Sequence, residues 1–337
     1  MSKQMIIKVT IILVIIVLGL GVWKNQKKNN ETIPNQEISI ATMPFSFTGY
    51  TINIANQKGF FKDHGLNVQL KTSYSNGKQT LAAMIKGEAD FAVSSETPFI
   101  HAVMKGDPIY VIATMITAQN HLGLVARKDK GINLPKDLEN KKIGVTIGSN
   151  GEYFLDLVLT LNKVEKSSIQ IVNVKPAQMV SALVNGDVDA IATWNPLKIQ
   201  AIKKMGEKVV LFTVQGIYSP YFIISAKKEY VRTHPEVVKR VVQSLHKASQ
   251  YILSDPTSSR QFASRFLKID DAVLEEMSAS YSFNIALEPS FLLTLEDQTR
   301  WANNRNKNSV KKVPNYLEYI YTDALKKVAP ESMIIIK

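Results

Sequence analysis

Residues 169–206 read IQIVNVKPAQMVSALVNGDVDAIATWNPLKIQAIKKMG, and this stretch decides the fold. Ile169–Val174 has strand composition, Lys175-Pro176 turns the chain, and Val180, Leu183 and Val184 then stand at i, i+3 and i+4 of a helix that Gly186 ends. Asp189 precedes a short strand, Ala190–Thr193, and Asn195-Pro196 opens a second helix running to Gly206. Residues 67–106, NVQLKTSYSNGKQTLAAMIKGEADFAVSSETPFIHAVMKG, repeat the order. Val68 and Leu70 alternate with polar neighbours, Ser75-Asn76-Gly77 turns into a helix carrying Leu81, Met84 and Ile85, and Gly87 caps it. Asp90 precedes the strand Phe91–Ser94, and Thr97-Pro98 opens the next helix. Self-similarity at a spacing of about one hundred residues predicts two similar α/β lobes with mostly parallel sheets.

The segments before each copy agree as well. Ile38–Thr42 is a strand leading through Pro44–Tyr50 into a helix, and Ile143–Ile147 leads through Gly148-Ser149-Asn150-Gly151 into another. Open α/β sheets take ligands beyond the carboxyl ends of their strands, so two facing lobes set these loops around one cleft. Beyond about residue 228 the pattern predicts helices: Thr233–Glu236 has capping-box spacing, and Val238, Val241, Val242, Leu245 and Ile252 share one apolar face. Further helices are expected near 257–267, 271–280, 290–303 and 315–328.

Composition bounds the chemistry. Of the 337 residues 45% are hydrophobic and 21% charged, as in globular proteins, and the length fits two domains. The net charge of +12 is spread thinly, with no basic stripe interleaved with aromatics, which argues against nucleic acid as a partner. With no cysteine there is no disulfide, thiolate metal site, cysteine nucleophile or lipid-modified cysteine. The five histidines (64, 101, 121, 234, 246) show no zinc-binding spacing, and no phosphate-binding glycine loop or nucleophile elbow is present. Asp187 and Asp189 read as a turn end and a strand start rather than a catalytic carboxylate pair.

Residues 1–30 form a separate unit: Lys3 and Lys8 precede the apolar run Val9–Trp23, and Lys24-Asn-Gln-Lys-Lys closes it. Fifteen helical residues rise roughly 22 Å against a hydrocarbon thickness of ~30 Å, a gap that Met5–Ile7 and a snorkelling Lys8 nearly close. The segment is a single-pass membrane anchor or a cleavable signal peptide, with Gly19-Leu-Gly21 offering small residues for cleavage. Residues 31–36 are a polar tether.

At this point the residues resemble a known family. Gly49-Tyr50 followed by Ala55-Asn-Gln-Lys-Gly-Phe-Phe-Lys-Asp-His-Gly-Leu66-Asn-Val68 is similar to the opening of the nitrate/sulfonate/taurine-type substrate-binding proteins of ABC importers. Leu134-Pro-Lys-Asp-Leu-Glu-Asn-Lys-Lys-Ile-Gly-Val145, Val188-Asp189-Ala190, Trp194-Asn195-Pro196 and His234-Pro-Glu-Val-Val238 extend the likeness, with Asn140 where the family commonly has Gly. The resemblance implies a type II periplasmic-binding-protein fold in which the second lobe is inserted in the first. Lobe one would be 37–124 plus 226–337 and lobe two 125–225, with crossings near Leu122–Arg127 and Tyr221–Lys227. A pyrimidine-synthesising branch of the same fold uses cysteines, which this chain lacks.

The cleft candidates are loop residues at strand ends. Ser149, Asn150 and Gly151 meet a helix start, where free N–H groups and the helix dipole favour an anion, or where they merely cap the helix. Ser95, Glu96 and Thr97 hold the corresponding place in lobe one; Glu96 would bind an ammonium or simply favour its helix N-terminus. Trp194, beside Asn195, is a cleft wall or an interlobe packing residue. Ser46, Tyr50, Ser75 and Asn76 lie on the first-lobe loops, Gln119 sits near the first crossing, and Tyr153, Tyr218 and Tyr221 offer rings and hydroxyls.

The expected function is that of a monomeric, non-enzymatic solute-binding protein without cofactor or metal, held extracytoplasmically at the cell membrane, or secreted if the N-terminus is cleaved. It would close its lobes on a small organic anion or zwitterion and deliver it to an ABC permease. The alternative is a membrane-anchored sensing module reporting the same ligand to a membrane partner. Mass analysis of the protein from its native host is expected to find residues 1–30 still attached; a mature N-terminus at Val22 with the protein soluble after lysis would establish the signal peptide instead.

Overall fold

The computed structural model describes residues 35–44, 46–214, 216–305 and 312–335. The membrane segment expected at 1–30 and residues 31–34 of the tether lie outside the described residues, among which no helix is long and apolar enough to cross a membrane.

The strands follow in chain order as β1 (Gln36–Ala41), β2 (Leu66–Lys71), β3 (Phe91–Ser95), β4 (Ile109–Ala118), β5 (Leu122–Arg127) and β6 (Lys142–Val145). β7 (Gln170–Asn173), β8 (Ala190–Trp194), β9 (Val209–Phe212), β10 (Tyr221–Lys227) and β11 (Tyr281–Ala286) complete them. They build two sheets, β11-β4-β10-β3-β1-β2 and β7-β6-β8-β5-β9. The orders correspond: β2-β1-β3 and β7-β6-β8 are parallel, and the next strand, β10 or β5, is antiparallel. Each lobe therefore contains the repeat, followed by one strand that has just arrived from the other lobe.

The helices are α1 (Tyr50–Gln57), α2 (Phe60–Asp63), α3 (Gly77–Lys86), α4 (Glu96–Lys105), α5 (Asn150–Leu161), α6 (Met179–Asn185) and α7 (Leu197–Met205). Then come α8 (Lys228–Thr233), α9 (Pro235–Ser254), α10 (Pro256–Leu267), α11 (Asp271–Ser278), α12 (Pro289–Arg305) and α13 (Asp323–Val328). β3, FAVSS, is buried along its whole length, flanked by β1 and β10 in the sheet and covered by α3 and α4. In the second lobe the alternation is visible: Leu124 and Ala126 pack into one apolar cluster, Val125 and Ile191 into the other. Val238, Val241, Val242, Leu245 and Ile252 form the buried stripe of α9, which packs against α1, α13 and β11.

The paired aspartates show why the repeat exists. The Asp90 carboxylate accepts the Ser39 N–H at 2.7 Å, and the Asp189 carboxylate accepts the Lys142 N–H at 2.9 Å, so each aspartate ties the strand that follows it, β3 or β8, to the neighbouring β1 or β6. Gly87 and Gly186 cap the preceding helices at φ 81° and 82°.

Four local expectations need correction. β11 breaks the run of helices after residue 228; Tyr281, Phe283 and Ile285 are buried and Ser282 and Asn284 exposed, a period-two pattern on a strand that pairs with β4. Thr233 forms no capping box: its hydroxyl bonds back to Glu229 O, and α9 starts at Pro235. The helix expected from Asn195-Pro196 is capped by Pro196, whereas that expected from Thr97-Pro98 starts two residues earlier, on Ser95. Among the described residues the crossings run through 119–121 and through 213–214 and 216–220, because Leu122–Arg127 is already paired with β8 and β9, and Tyr221–Lys227 with β3 and β4.

Helix α3 lies so close to β3 that a Cβ on Gly77 would stand 2.9 Å from Ser94 Cβ and 3.2 Å from Ser94 Cα. Gly77→Ala should therefore destabilise the protein by about 1–3 kcal/mol, the usual cost of overpacking. Denaturant unfolding measures this; a variant as stable as the parent would mean that α3 is free to lift off the sheet.

Candidate functional site

A cavity of about 330 Å³ opens where the carboxyl ends of the two sheets face each other. Its wall comes from the carboxyl ends of the three parallel strands of each lobe and the loops after them: Met43, Pro44 and Ser46 after β1, 74–78 after β2, Ser95 and Pro98 at the end of β3, 146–150 after β6, Pro176 and Ala177 after β7, and Trp194, Pro196, Leu197 and Gln200 at the end of β8. The first crossing adds His121, and β10 adds Phe222. This is the crevice expected of open α/β sheets, doubled.

Three helices of ten or more residues start at this wall. Asn76 caps α3, its side chain accepting the Gln79 N–H at 3.0 Å. Ser95 caps α4 by position, with no side-chain cap bond. Ser149 caps α5, accepting the Gly151 N–H at 3.2 Å while its hydroxyl donates to Thr146 O at 2.6 Å. Each start carries the positive end of a helix dipole and N–H groups without intrahelical partners. Among the described residues, Lys78 is the one formally charged side chain in the wall, and no carboxylate lines it. Met43, Pro98, Ile147, Trp194, Leu197 and Phe222 supply apolar surface.

The structure brings Ser46, Ser75, Asn76, Ser95, Ser149, Asn150 and Trp194 to the cavity, as the loop argument requires. Gly151 is instead the seat of the indole: a Cβ there would meet Trp194 Cζ3 at 3.4 Å and Ala192 O at 3.2 Å. Tyr50 belongs to the core of the first lobe, 4% exposed, its ring stacked with Phe47 and tilted against Phe283. Gln119 faces a smaller cavity of about 150 Å³ between the crossings, which Tyr218 also lines. Asn195 is buried, its N–H donating to His121 O at 3.0 Å.

Glu96 and Thr97 are turned away from the cavity, since each helical step rotates the side chain by ~100°. They enter a buried network: Gln298 Nε2 donates to Glu96 Oε1 at 2.7 Å, the Tyr221 N–H donates to Glu96 Oε2 at 3.0 Å, and Thr97 Oγ1 donates to Gln298 Oε1 at 2.6 Å. The Tyr218 hydroxyl donates to Glu96 Oε1 as well. Burial raises the Glu96 pKa, and the bonds from Tyr218 and Gln298 oppose the rise. Tyr221 directs its hydroxyl to Ser290 Oγ at 2.9 Å, and Tyr153 packs edge-on against Tyr218 and Trp301.

Sequence reasoning missed His121, which lines both cavities. Burial, with the nearby Lys198 charge, lowers its pKa to about 3, so the imidazole is neutral; Nδ1 bonds the Tyr281 hydroxyl at 2.5 Å. Lys198 is itself lowered to about 8 by burial and donates to Asn120 O in the first crossing. Pro176 and Ala177 were also missed, although the repeat sets Lys175-Pro176 opposite the Ser75-Asn76 turn.

The NMT1/THI5 like family model matches residues 46–259. A relative from Brucella abortus is 29% identical over 66% of this chain and 69% of its own length. The taurine-binding periplasmic protein of Escherichia coli is 27% identical over 58% of this chain and 61% of its own. A 4-amino-5-hydroxymethyl-2-methylpyrimidine phosphate synthase of Legionella pneumophila is 25% identical over 61% and 65%. Among solved structures, the alkanesulfonate-binding protein SsuA of Xanthomonas axonopodis superposes with a TM-score of 0.72 at 17% identity, covering 86% of this chain and 99% of that one, a likeness of fold. With well over half of its length matched by the family model, the chain belongs to the NMT1/THI5-like family.

Proposed function

We propose that this protein captures a small organic anion in the cleft and delivers it to an ABC permease, without making or breaking a covalent bond. The observation that carries the reading is the convergence of three helix N-termini on a cavity that no carboxylate lines among the described residues. Taurine and alkanesulfonate binding by relatives of the same fold supports it. Residues 37–118 with 221–337 act as one lobe and 122–212 as the other, and hinge motion at the two crossings closes them over the ligand. Residues 1–30 hold the monomer at the extracytoplasmic face of the membrane. Ser46, Ser75, Asn76, Ser95, Ser149 and Asn150 donate to the ligand, and Trp194 forms the apolar wall.

The wall favours a ligand whose only charge is negative over a zwitterion, because an ammonium group would lose its hydration with no carboxylate to replace it. Calorimetry is expected to rank butanesulfonate and benzenesulfonate at least tenfold tighter than taurine, each ~1.4 kcal/mol being a decade. Chelators should leave these affinities unchanged. Taurine binding as tightly as butanesulfonate would rule out the uncharged-tail reading.

Trp194 lies half-buried against Gly151, one face toward the cavity. An aromatic contact contributes about 0.5–1.5 kcal/mol beyond its area, and truncating a central anchor costs about 2 kcal/mol or more of binding. Trp194→Ala should weaken butanesulfonate binding by roughly tenfold to a hundredfold while the ligand-free protein unfolds at nearly the parent temperature. Normal binding with a large loss of ligand-free stability would make Trp194 a packing residue.

A further inference from the structure

Helix α12 presents Gln298, Trp301 and Arg305 at i, i+3 and i+7, one stripe of its surface. The helix belongs to the first lobe, where Phe291 and Leu295 enter the core. Two of the stripe's side chains reach α5, whose Phe154, Leu155 and Val158 lie in the core of the second lobe. Trp301 Nε1 donates to Asp156 Oδ2 at 2.8 Å, and Arg305 Nη2 pairs with Glu152 Oε1 at 2.6 Å. The Arg305 guanidinium also lies 5.1 Å from the Trp301 ring centroid, so the two side chains support each other. Glu152 and Asp156 are one helical turn apart, and the ring of Tyr153 fills the gap against Trp301 at 5.1 Å.

The other oxygen of Glu152 faces the cavity loop. Oε2 accepts the Gly148 N–H at 2.7 Å, and Gly148 stands at φ 80° in the turn that presents Ser149 and Asn150 to the cavity. Burial works against ionisation of Glu152, which is 1% exposed, yet Arg305 and the Gly148 N–H outweigh it and hold the carboxyl below its ordinary pKa. A single carboxylate thus links a turn of the ligand wall in one lobe to a cation supplied by the other.

We propose that Glu152 is a positioning residue for ligand binding, fixing the Gly148 turn through an ion pair that Arg305 completes across the lobe seam. The proposal rests on the cavity being the ligand site. Hinge motion that separates the lobes removes Arg305 from Glu152 and loosens the turn; a ligand that favours the assembled turn favours the clasp by the same factor, because linkage is reciprocal. Gly148 gives its N–H to Glu152 rather than to the ligand, so the effect acts through the shape of the loop.

The test uses the full chain and two readouts. Amide hydrogen exchange of the segment containing Gly148 in ligand-free protein reports the turn, and calorimetry with butanesulfonate reports affinity. Arg305→Gln and Glu152→Gln are each expected to speed exchange at Gly148 and weaken butanesulfonate binding by about five- to twentyfold, within the usual range of coupling between sites. The double variant should be no weaker than the worse single one. Arg305→Lys should recover most of the affinity, and Arg300→Gln, on the exposed face of α12 with its partners Glu296 and Asp297, should change neither readout. Unchanged Gly148 exchange in Arg305→Gln, or additive losses in the double variant, would overturn the proposal. Faster exchange in a protein whose parent binds no sulfonate would sink the proposed function and leave the link between clasp and turn intact.

Discussion

Backbone pairing of β10 with both β3 and β4 is the constraint on which the rest of the structure depends. β10 brings the chain back from the second lobe and sits inside the first sheet, where both its edges are hydrogen-bonded. β5 does the same in the second sheet between β8 and β9. Neither crossing strand can peel away without leaving buried N–H and C=O groups unpaired. The links between the two sheets are thereby anchored where they enter β5 and β10, and the residues beside them are delivered to fixed places. Phe222 and His121 meet the cavity, and the Tyr221 N–H meets the Glu96 carboxylate.

Charge is partitioned between the cavity and the seam with a one-residue precision. Ser95 faces the cavity, and Glu96, the next residue, faces the seam. Ser149 and Asn150 line the cavity, and Glu152 and Asp156 of the same helix turn to Arg305 and Trp301. Carboxylates are kept to the seam, where a guanidinium, an indole N–H and a tyrosine hydroxyl satisfy them. Among the described residues the cavity is left with helix N-termini, neutral polar side chains, Lys78 and apolar surface, the setting on which the proposed preference for an anion rests. A helix that begins at a cleft serves both regions because its side chains rotate by ~100° per residue.

Much of this was legible in the sequence because the signals are local. Gly87 and Gly186, Asp90 and Asp189, and the apolar triplets of α3 and α6 mark the same elements in both copies, and the structure finds them in the same roles. The loops at strand ends led to Ser75, Asn76, Ser95, Ser149 and Trp194. The placement of Tyr50, Glu96, Thr97, Tyr153 and Tyr221 was not legible, since a tyrosine or glutamate near a helix start is compatible with cleft, core or seam. The period-two pattern of Tyr281–Ala286 was readable, but it stands among helices and has no copy in the repeat.

The two-lobed α/β organisation, the loops that form the cleft and the absence of cysteine chemistry can all be read along the chain. These depend on periodicity, caps and composition, which act within a few residues of the chain. Only the tertiary structure decided that His121 belongs to the cavity wall, that Gly151 seats the Trp194 ring, and that Arg305 meets Glu152. Each joins segments that are distant in the chain: Gly151 meets Trp194 through the pairing of β6 with β8 inside the second sheet, whereas the other two depend on how β5 and β10 dock the two sheets. A pattern along one chain carries no record of that docking.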